Sequence, residues 1–427
     1  MTVIGLDDTD SRSLGMCTTY AATQLAKRLE ANGADVERLL LIRLLPSVEY
    51  KTRGNAAVAI HTDADPVQAL ESVERVLSMA ETDDDRTNPG AVVFDGDPEQ
   101  VPNAIGAFAT RAMKRRCSLE QARELCDRHG FDTRSVGTGQ GLVGAVAAVG
   151  AWQACDKWTY ECISYRERPN WGTARDVEYE SVVQAATAYY PEVWDTLDRV
   201  EETAVCVPRT PCPVLHGIRG DHPTVVSEVA AKIDGEPVAH RQLFVTNQGT
   251  DSHLQDGKVG NLTDGRCYRV DVTVTGVPET REGGHVFVPF GSPTDGDGRE
   301  TAIHGAAFEP TKRFRDRVRA LHPGDRLTVC GEYSEGVLNL EKFAVRELIQ
   351  SQLVTPDCPE CGRSMSSAGR NAGYRCRPCG TYAEGKVSRP LERDIEDGWY
   401  EVPPCARRHI AKPLVRGGFD GPTHPER

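Results

Sequence analysis

No run of about 18 consecutive apolar residues occurs in this 427-residue chain, so a membrane-spanning helix is not expected. Lysine is scarce: it makes up 10 of the 50 basic residues, and arginine supplies the rest. The 63 acidic residues outnumber both together and leave a net charge of −13. That balance argues against generic nucleic-acid binding, although local basic segments exist and high salt would screen the repulsion. There is no His-Glu-x-x-His and no Gly-x-Ser-x-Gly, which removes the usual zinc-protease and hydrolase signatures. No coiled coil or clear internal repeat is seen. No basic leader precedes the first apolar run, and a soluble, cytoplasmic protein is the expectation. Ten of the fourteen cysteines are scattered singly, which fits reduced thiols rather than a disulfide framework.

What is present is concentrated first at the N-terminus. Val3, Ile4 and Leu6 read as a buried strand, followed by Asp7, Asp8, Thr9, Asp10 and Ser11. Side chains alternate along a strand, so Asp8 and Asp10 are expected to converge while Asp7 points elsewhere or caps the turn. Carboxylates this close raise one another's pKa. A divalent cation relieves that conflict, and Mg²⁺ favours one or two carboxylates plus phosphate oxygens. Gly15 allows a turn, and Thr18 is expected to open a helix, exposed at a terminus that suits a phosphate. An acidic surface turn with an ordinary helix start is the alternative.

At this length about three domains are expected. Residues 1–95 read as strand, helix, strand, strand, helix, strand, an order that is ferredoxin-like. Helices follow at about 103–116 and 119–129. Between the second and third strands, Lys51 and Arg53 put two cations at a turn, either a polar hairpin or a phosphate or substrate contact. Gly137, Gly139 and Gly141 open an Ala/Val-rich helix. Such a backbone can approach ATP phosphates closely or serve a tightly packed helix start. A second βαββαβ order begins near 156, with strands expected at 159–165, 203–207, 214–218 and 242–246. Arg219 and Asp221 end its third strand. Asn247, Gln248, Thr250 and Asp251 end its last, where amides and a carboxylate suit a base edge or a guanidinium. A loop of turn formers reads equally well there.

Residues 259–350 hold five strands and one helix, at about 311–321, in the order of an OB-fold barrel; 293–299 reads as a solvated insertion. Cys358-x-x-Cys361 and Cys376-x-x-Cys379 then give four thiolates, the ligand set of a structural Zn²⁺ site in a zinc ribbon. Arg407, Arg408, Lys412 and Arg416 put four positive charges and no acid in residues 405–416. That segment is either a phosphate-binding tail or a basic strand packed on its own acidic body.

Gly-Leu-Asp-Asp-Thr-Asp-Ser at 5–11, Gly-Met-Cys-Thr-Thr-Tyr at 15–20, Lys-Thr-Arg-Gly-Asn at 51–55, Asn-Gln-Gly-Thr-Asp at 247–251 and the four cysteines occur in that order. Together they resemble the archaeal agmatidine synthase family (TiaS, 2-agmatinylcytidine synthetases), and the Arg-rich acidic composition is similar to haloarchaeal proteins. The resemblance implies an ATP-dependent, tRNA-modifying ligase. It would join agmatine to C2 of the wobble cytidine of the minor isoleucine tRNA with anticodon CAU, through a phosphorylated cytidine, with ATP consumed to AMP and pyrophosphate. It implies an autophosphorylated threonine at Thr18 and a kinase-like N-terminal domain.

The expected architecture is thus multidomain α+β: two ferredoxin-like units, the first elaborated as a kinase-like domain, an OB-fold and a zinc ribbon. The expected bounds are 1–155, 156–258, 259–350 and 351–390, with a basic tail at 391–427. Asp7, Asp8, Asp10 and Thr18 are the expected catalytic residues, with Mg²⁺ held by the aspartates. ATP is assigned to Ser11, Lys51, Arg53 and the 137–141 glycines. The agmatine or base pocket is assigned to Arg219, Asp221, Asn247, Gln248, Thr250 and Asp251, with Asp251 facing the cationic amine. RNA binding is assigned to Arg407, Arg408, Lys412 and Arg416, in a monomer. A non-catalytic OB-fold and zinc-ribbon module binding nucleic acid is the alternative, and a small-molecule kinase is a third. Clustered carboxylates, which repel phosphate, weigh against the binding module.

Overall fold

The computed structural model describes residues 1–11, 15–49, 51, 54–293 and 302–427. Arg53 and most of the 293–299 insertion lie outside them.

The chain starts with β1 (Thr2–Asp7), α1 (Thr18–Ala31), β2 (Val36–Arg43), β3 (Ala56–Thr62), α2 (Pro66–Leu77) and β4 (Gly90–Asp95). Local signals set these bounds. The Asp65 side chain accepts from the amides of Val67 and Gln68, with Pro66 in the first turn, so α2 starts there. Helices α3 (Asn103–Lys114) and α4 (Leu119–His129) follow, then β5 (Asp132–Ser135) and α5 (Leu142–Ala154). Ser118 and Gln121 form a capping box at the start of α4, and Gly130, at φ 66°, ends it. Helix α5 is apolar all round and is buried against β1, β3, β4 and α3. With α3 and α4 it covers one face of the sheet, while α1 and α2 cover the other.

The second half comprises β6 (Thr159–Arg166), α6 (Tyr179–Ala188), β7 (Val193–Trp194), β8 (Leu197–Asp198), β9 (Thr203–Ala204), β10 (Val214–Gly220), α7 (Pro223–Ala231) and β11 (Val238–Thr246). The strand expected at 203–207 is not in the sheet. Among the described residues β9 pairs only with β8, and β7 takes the edge position beside β10. Residues 195–213 instead fold across the end of the sheet, tied to it where the Gly217 amide donates to the Cys206 carbonyl at 2.9 Å. An edge strand only two residues long offers little template for unwanted pairing.

Both halves belong to one nine-stranded sheet, ordered β5-β4-β1-β3-β2-β11-β6-β10-β7. The seam is the parallel pair β2–β11, with Leu40 opposite Val245 and Leu41 opposite Thr246. Beyond Thr246, the Asn247 side chain continues the ladder. Its Oδ1 accepts from the Arg43 amide at 2.7 Å, and its Nδ2 donates to the Arg43 carbonyl at 3.0 Å. The apolar core of the α1 face runs through the seam to Ile163, Tyr165 and Phe244.

β12 (Leu254–Gly257) leads into a closed five-strand barrel. Its strands are β13 (Arg266–Val274), β15 (Val286–Gly291), β16 (Ala302–Ala307), β17 (Arg326–Ser334) and β18 (Val337–Glu347), and β14 (Glu279–Thr280) pairs with β15. Closure runs β13-β15-β16-β18-β17 and back to β13. Helix α8 (Phe314–Arg319), shorter than expected, plugs the barrel with Phe314 and Val318.

The cysteine-rich segment is built from β19 (Ser351–Val354) paired with β23 (Val387–Pro390), and from β20 (Ser366–Ser367), β21 (Tyr374–Arg375) and β22 (Tyr382–Ala383). The segment expected as a tail is not one. β24 (Gly398–Glu401) pairs with β18 and β25 (Thr423–His424) pairs with β24, so the C-terminus completes the barrel sheet.

Candidate active site and zinc-binding cysteines

The end of β1 carries the acidic cluster. Asp8 adopts φ 60°, which ends the strand and breaks the alternation of its side chains. In consequence all three aspartates line one small cavity of about 80 Å³, with Lys51, Arg115 and Gly144 among its other walls. Asp7 therefore does not point elsewhere, as alternation had suggested. Burial holds the Asp7 carboxyl well above the usual carboxylate range, and the charges of Asp8 and Asp10 add to this against the Asp8 amide. Asp7 Oδ1 accepts from that amide at 2.7 Å, and Asp8 Oδ2 accepts from the Asn88 amide at 3.1 Å.

Three carboxylates supply oxygen ligands of the kind Mg²⁺ takes, beside the cations Lys51, Arg115 and Arg116, but their oxygens do not all lie within 4.8 Å of one another as the four cysteine sulfurs do. Close packing explains the glycines. A Cβ on Gly144 would lie 1.8 Å from Asp7 Oδ2, and one on Gly141 would lie 2.6 Å from the Asp7 carbonyl. Gly137 and Gly139 adopt φ 64° and 74°, and their neighbours are Asn88 and Ser135. The loop is thus a tight packing of the α5 start against β1, with Gln140, Val143 and Gly144 reaching the cavity. The Ser11 hydroxyl is buried and donates to Asp84 Oδ2 at 3.4 Å.

A second cavity of about 430 Å³ lies on the other side of Asp10, lined among others by Thr18, Arg43, Glu161, Arg219 and His409. Asp10 borders both. Its Oδ1 accepts from the Thr18 amide at 2.8 Å, so it satisfies a free N–H at the start of α1. Thr18 is 3% exposed, not the open helix start expected. Its hydroxyl accepts from the Thr9 hydroxyl at 3.3 Å, and it lines the cavity.

Charge is arranged around this cavity. Glu161 Oε1 accepts from Arg219 Nε at 3.3 Å, and Glu161 Oε2 accepts from the Gln248 side-chain amide. Burial pulls the Arg43 guanidinium down to about 10, against Glu161 and helped by Arg219. The Arg219 charge, burial and the Arg43 charge hold His409 well below the usual imidazole range, so it is neutral at pH 7.

The other expected substrate and RNA residues sit elsewhere. Asp251 accepts from Lys342 Nζ at 2.8 Å with both oxygens, and from the Lys412 amide at 2.7 Å. Lys342 is buried, so this pair joins barrel to C-terminus and does not face the cavity. Thr250 donates to the Asn247 carbonyl at 2.7 Å within its turn. Asp221 accepts from Arg416 Nε at 2.8 Å. Arg407 is buried between Asp195 and Glu401. Arg408 pairs with Glu332 and Glu341, and Lys412 donates to the Gly417 carbonyl over the Phe419 ring. Arg407, Arg408 and Arg416 of the basic segment thus pack on the protein's own acids, while the Lys412 ammonium meets a backbone carbonyl. Lys51 donates to the Pro46 carbonyl while reaching the aspartate cavity.

Glu161, Arg43, His409, Gly144 and Arg115 are site residues that the sequence reading passed over. Gly144 carried a signal, because glycine inside a helix costs about 1 kcal/mol against alanine and needs a reason. Glu161, a lone acid within an apolar strand, carried a weaker one.

Outside the lining of these cavities, Cys358, Cys361, Cys376 and Cys379 place their sulfurs within 4.8 Å of one another. Each pair sits on a turn that closes at its glycine: the Gly362 amide donates to the Cys358 carbonyl at 2.8 Å, and the Gly380 amide to that of Cys376 at 2.9 Å. Burial raises the Cys358 thiol, but the Cys361 and Glu360 amides aimed at its sulfur outweigh this and hold it near 6. Four thiols this close, with backbone amides aimed at Cys358 and Cys376, fit tetrahedral zinc, with no position left for water. Elemental analysis is expected to give one zinc per chain and none in Cys358→Ser; iron with visible absorbance would refute the assignment. His253, Cys267 and Glu341 also cluster, but His253 and Arg408 hold Glu341 down near 2 against burial, as befits an ion-pair network.

Comparison with known proteins gives the family. The profile of the TiaS TCKD domain matches residues 3–66, that of the TiaS FLD domain 139–253, and that of the TiaS C-terminal zinc ribbon domain 355–395. The isoleucine-tRNA 2-agmatinylcytidine synthetase TiaS of Haloquadratum walsbyi is 50% identical over 462 residues, covering 100% of both chains. The solved complex of TiaS with its isoleucine tRNA and ATP superposes with a TM-score of 0.89 at 39% identity, covering 100% of this chain and 99% of that one. The complex of TiaS with the same tRNA, AMPCPP and agmatine gives 0.87 at 36% identity, with the same coverage. Likeness over the full length, together with the acidic strand end, the buried Thr18 and the four zinc-binding cysteines, makes this chain a member of the TiaS family, the isoleucine-tRNA 2-agmatinylcytidine synthetases.

Proposed function

We propose that this chain is an ATP-dependent ligase that joins agmatine to C2 of the wobble cytidine in the CAU-anticodon isoleucine tRNA. The observation that carries the reading is full-length similarity to structures described as TiaS with its isoleucine tRNA, ATP or its analogue, and agmatine. The two halves of the large sheet are read as ferredoxin-like units, with strand orders β4-β1-β3-β2 and β11-β6-β10-β7. The barrel is read as an OB-fold. The bounds 1–155, 156–258, 259–350 and 351–390 follow as a working division, in the cytoplasm.

The chemistry follows from the base. The urea-like C2 carbonyl of cytosine is a poor electrophile, and phosphorylating its oxygen makes that oxygen a leaving group. The agmatine amine then forms the C2–N bond, the C2–O bond breaks, phosphate departs and the amine loses a proton. Asp7, Asp8 and Asp10 are the residues to hold Mg²⁺, which when bound neutralises charge on the transferring phosphoryl group. Lys51 and the first turn of α5 border the same cavity and would orient the polyphosphate. Thr18 is the proposed acceptor of a phosphoryl group on the protein. Agmatine is doubly cationic, and Glu161 and Asp10, not Asp251, are the carboxylates that face the Thr18 cavity. Arg219 and Gln248 hold Glu161 in place. The wobble base must leave its stack to reach them.

The test is incubation with ATP, agmatine and a transcribed tRNA, followed by nucleoside mass analysis. An agmatine-derived mass gain on cytidine is expected, and unchanged RNA would refute the reading. With γ-labelled ATP, label is expected on the protein and absent from Thr18→Ala. Label retained by that variant would reassign the acceptor.

A further inference from the structure

Three of the four cations first expected to hold RNA are ion-paired within the fold, so a chain of net charge −13 needs further cations to meet phosphates. We propose that the cleft between the end of α3 and the barrel holds the single-stranded RNA flanking the modified nucleotide, with its phosphates against Arg111, Arg115 and Arg266. This rests on the tRNA reading above.

The cleft has a volume of about 800 Å³. Arg111, Arg115 and Arg116 form one wall, in the last turn of α3 and the two residues beyond it, where 111–116 read Arg-Ala-Met-Lys-Arg-Arg without an acid. Arg266, at the start of β13, stands with the barrel residues. Arg115 is exposed, and Arg111 and Arg266 are half-buried. Among the described residues, Arg111, Arg115 and Arg266 form no ion pair, whereas Arg407, Arg408 and Arg416 all do.

Two further features favour RNA. Asp264, Glu332 and Glu335 line the barrel side, with the Glu335 amide donating to Asp264 Oδ1 at 2.9 Å and Glu332 paired to Arg408, and Glu49 adds a fourth carboxylate from the loop after β2. Carboxylates repel phosphate and accept from the amino groups of base edges, so they leave the phosphates to the arginines of both walls and take bases between them. The cleft also shares Val48, Arg115, Arg116 and Cys117 with the aspartate cavity. A strand lying in it therefore leads straight to the reacting centre. A cation-rich helix end also complements the helix dipole, which would give these arginines a purely structural role.

Arg111→Glu and Arg266→Glu separate the two, because neither residue borders the Thr18 or aspartate cavity. Each is expected to raise the tRNA KM roughly 10-fold and to lower the log–log salt slope of tRNA binding by about 0.7–0.9, one lost phosphate contact. The agmatine KM should be unchanged, and the Lys versions should restore binding. An unchanged tRNA KM and salt slope in both Glu variants, with or without a lower melting temperature, overturns the proposal while leaving the tRNA reading intact. Failure of the wild-type protein to modify the tRNA would instead remove that reading.

Discussion

Asp10→Asn is expected to keep the fold and lose the reaction. The asparagine carbonyl can still accept from the Thr18 amide, which Asp10 now holds at 2.8 Å. The Thr87 hydroxyl donates to the backbone carbonyl of residue 10 at 2.7 Å, which the substitution does not touch. The loss of stability should therefore stay near 1 kcal/mol, on the order of one perturbed hydrogen bond. What disappears is a negative charge at the border of both cavities, where the proposed mechanism has it serve the metal, the polyphosphate and the approaching amine together. Removing one preorganised electrostatic contact of this kind lowers a rate by roughly 100- to 1,000-fold. Single-turnover modification of tRNA, beside a thermal melt, makes the comparison. A near-wild-type rate would show that Asp7 and Asp8 suffice, and would detach Asp10 from the chemistry.

Arg407→Ala is expected to act on folding. Its guanidinium is buried between Asp195 and Glu401, the latter at 2.8 Å, and donates to the Val402 carbonyl at 3.0 Å. Deleting it leaves buried Glu401 without its cation and Asp195 with Arg219 at 4.0 Å, a loss of roughly 3–5 kcal/mol. The pH dependence carries a sign. Burial already raises Glu401 from 4.5 to about 7, with Arg407 pulling the other way. A carboxyl raised on folding binds a proton that the unfolded chain releases, so its contribution to stability falls as pH rises from 4.5 through 7. Without Arg407 the upward shift is larger, so the deficit should be greater at about pH 8 than at about pH 5. Denaturant unfolding at both values measures this. A variant as stable as wild type with a raised tRNA KM would return Arg407 to the RNA surface.

The sequence made local patterns readable and long-range pairings obscure. The β1–α1 unit, the apolar α5 and the cysteine pairs each lie within one short window, where spacing determines geometry. The edge strand at 193–194 was not readable: two residues carry no period, and the 203–207 segment imitates a strand while packing on another part of the chain. The cations at 407–416 and the carboxylate of Asp251 looked available because their partners Asp195, Glu332 and Lys342 are 76 to 212 positions away. Glu401 is near in sequence, but nothing there shows that it turns inward toward Arg407. The convergence of Asp7 was missed because one residue at positive φ cancels strand alternation. Glu161 became visible as a site residue only once β6 lay beside β11 across the seam from β2.

That seam has a consequence for how the molecule could be divided. β2 and β11 are each other's neighbours in space but are far apart in sequence, and the chain passes between the halves only through residues 155–158, a half-buried to exposed link. A cut there would sever the chain without removing a ladder bond or an Asn247 contact. Each fragment alone would present a strand edge rich in leucine or valine, with Arg43 on one side and Asn247 on the other as matching keys. Two such pieces made separately are complementary parts, and their reunion would rebuild the walls of the Thr18 cavity, because Asp10 and Thr18 belong to one piece and Glu161, Arg219 and His409 to the other.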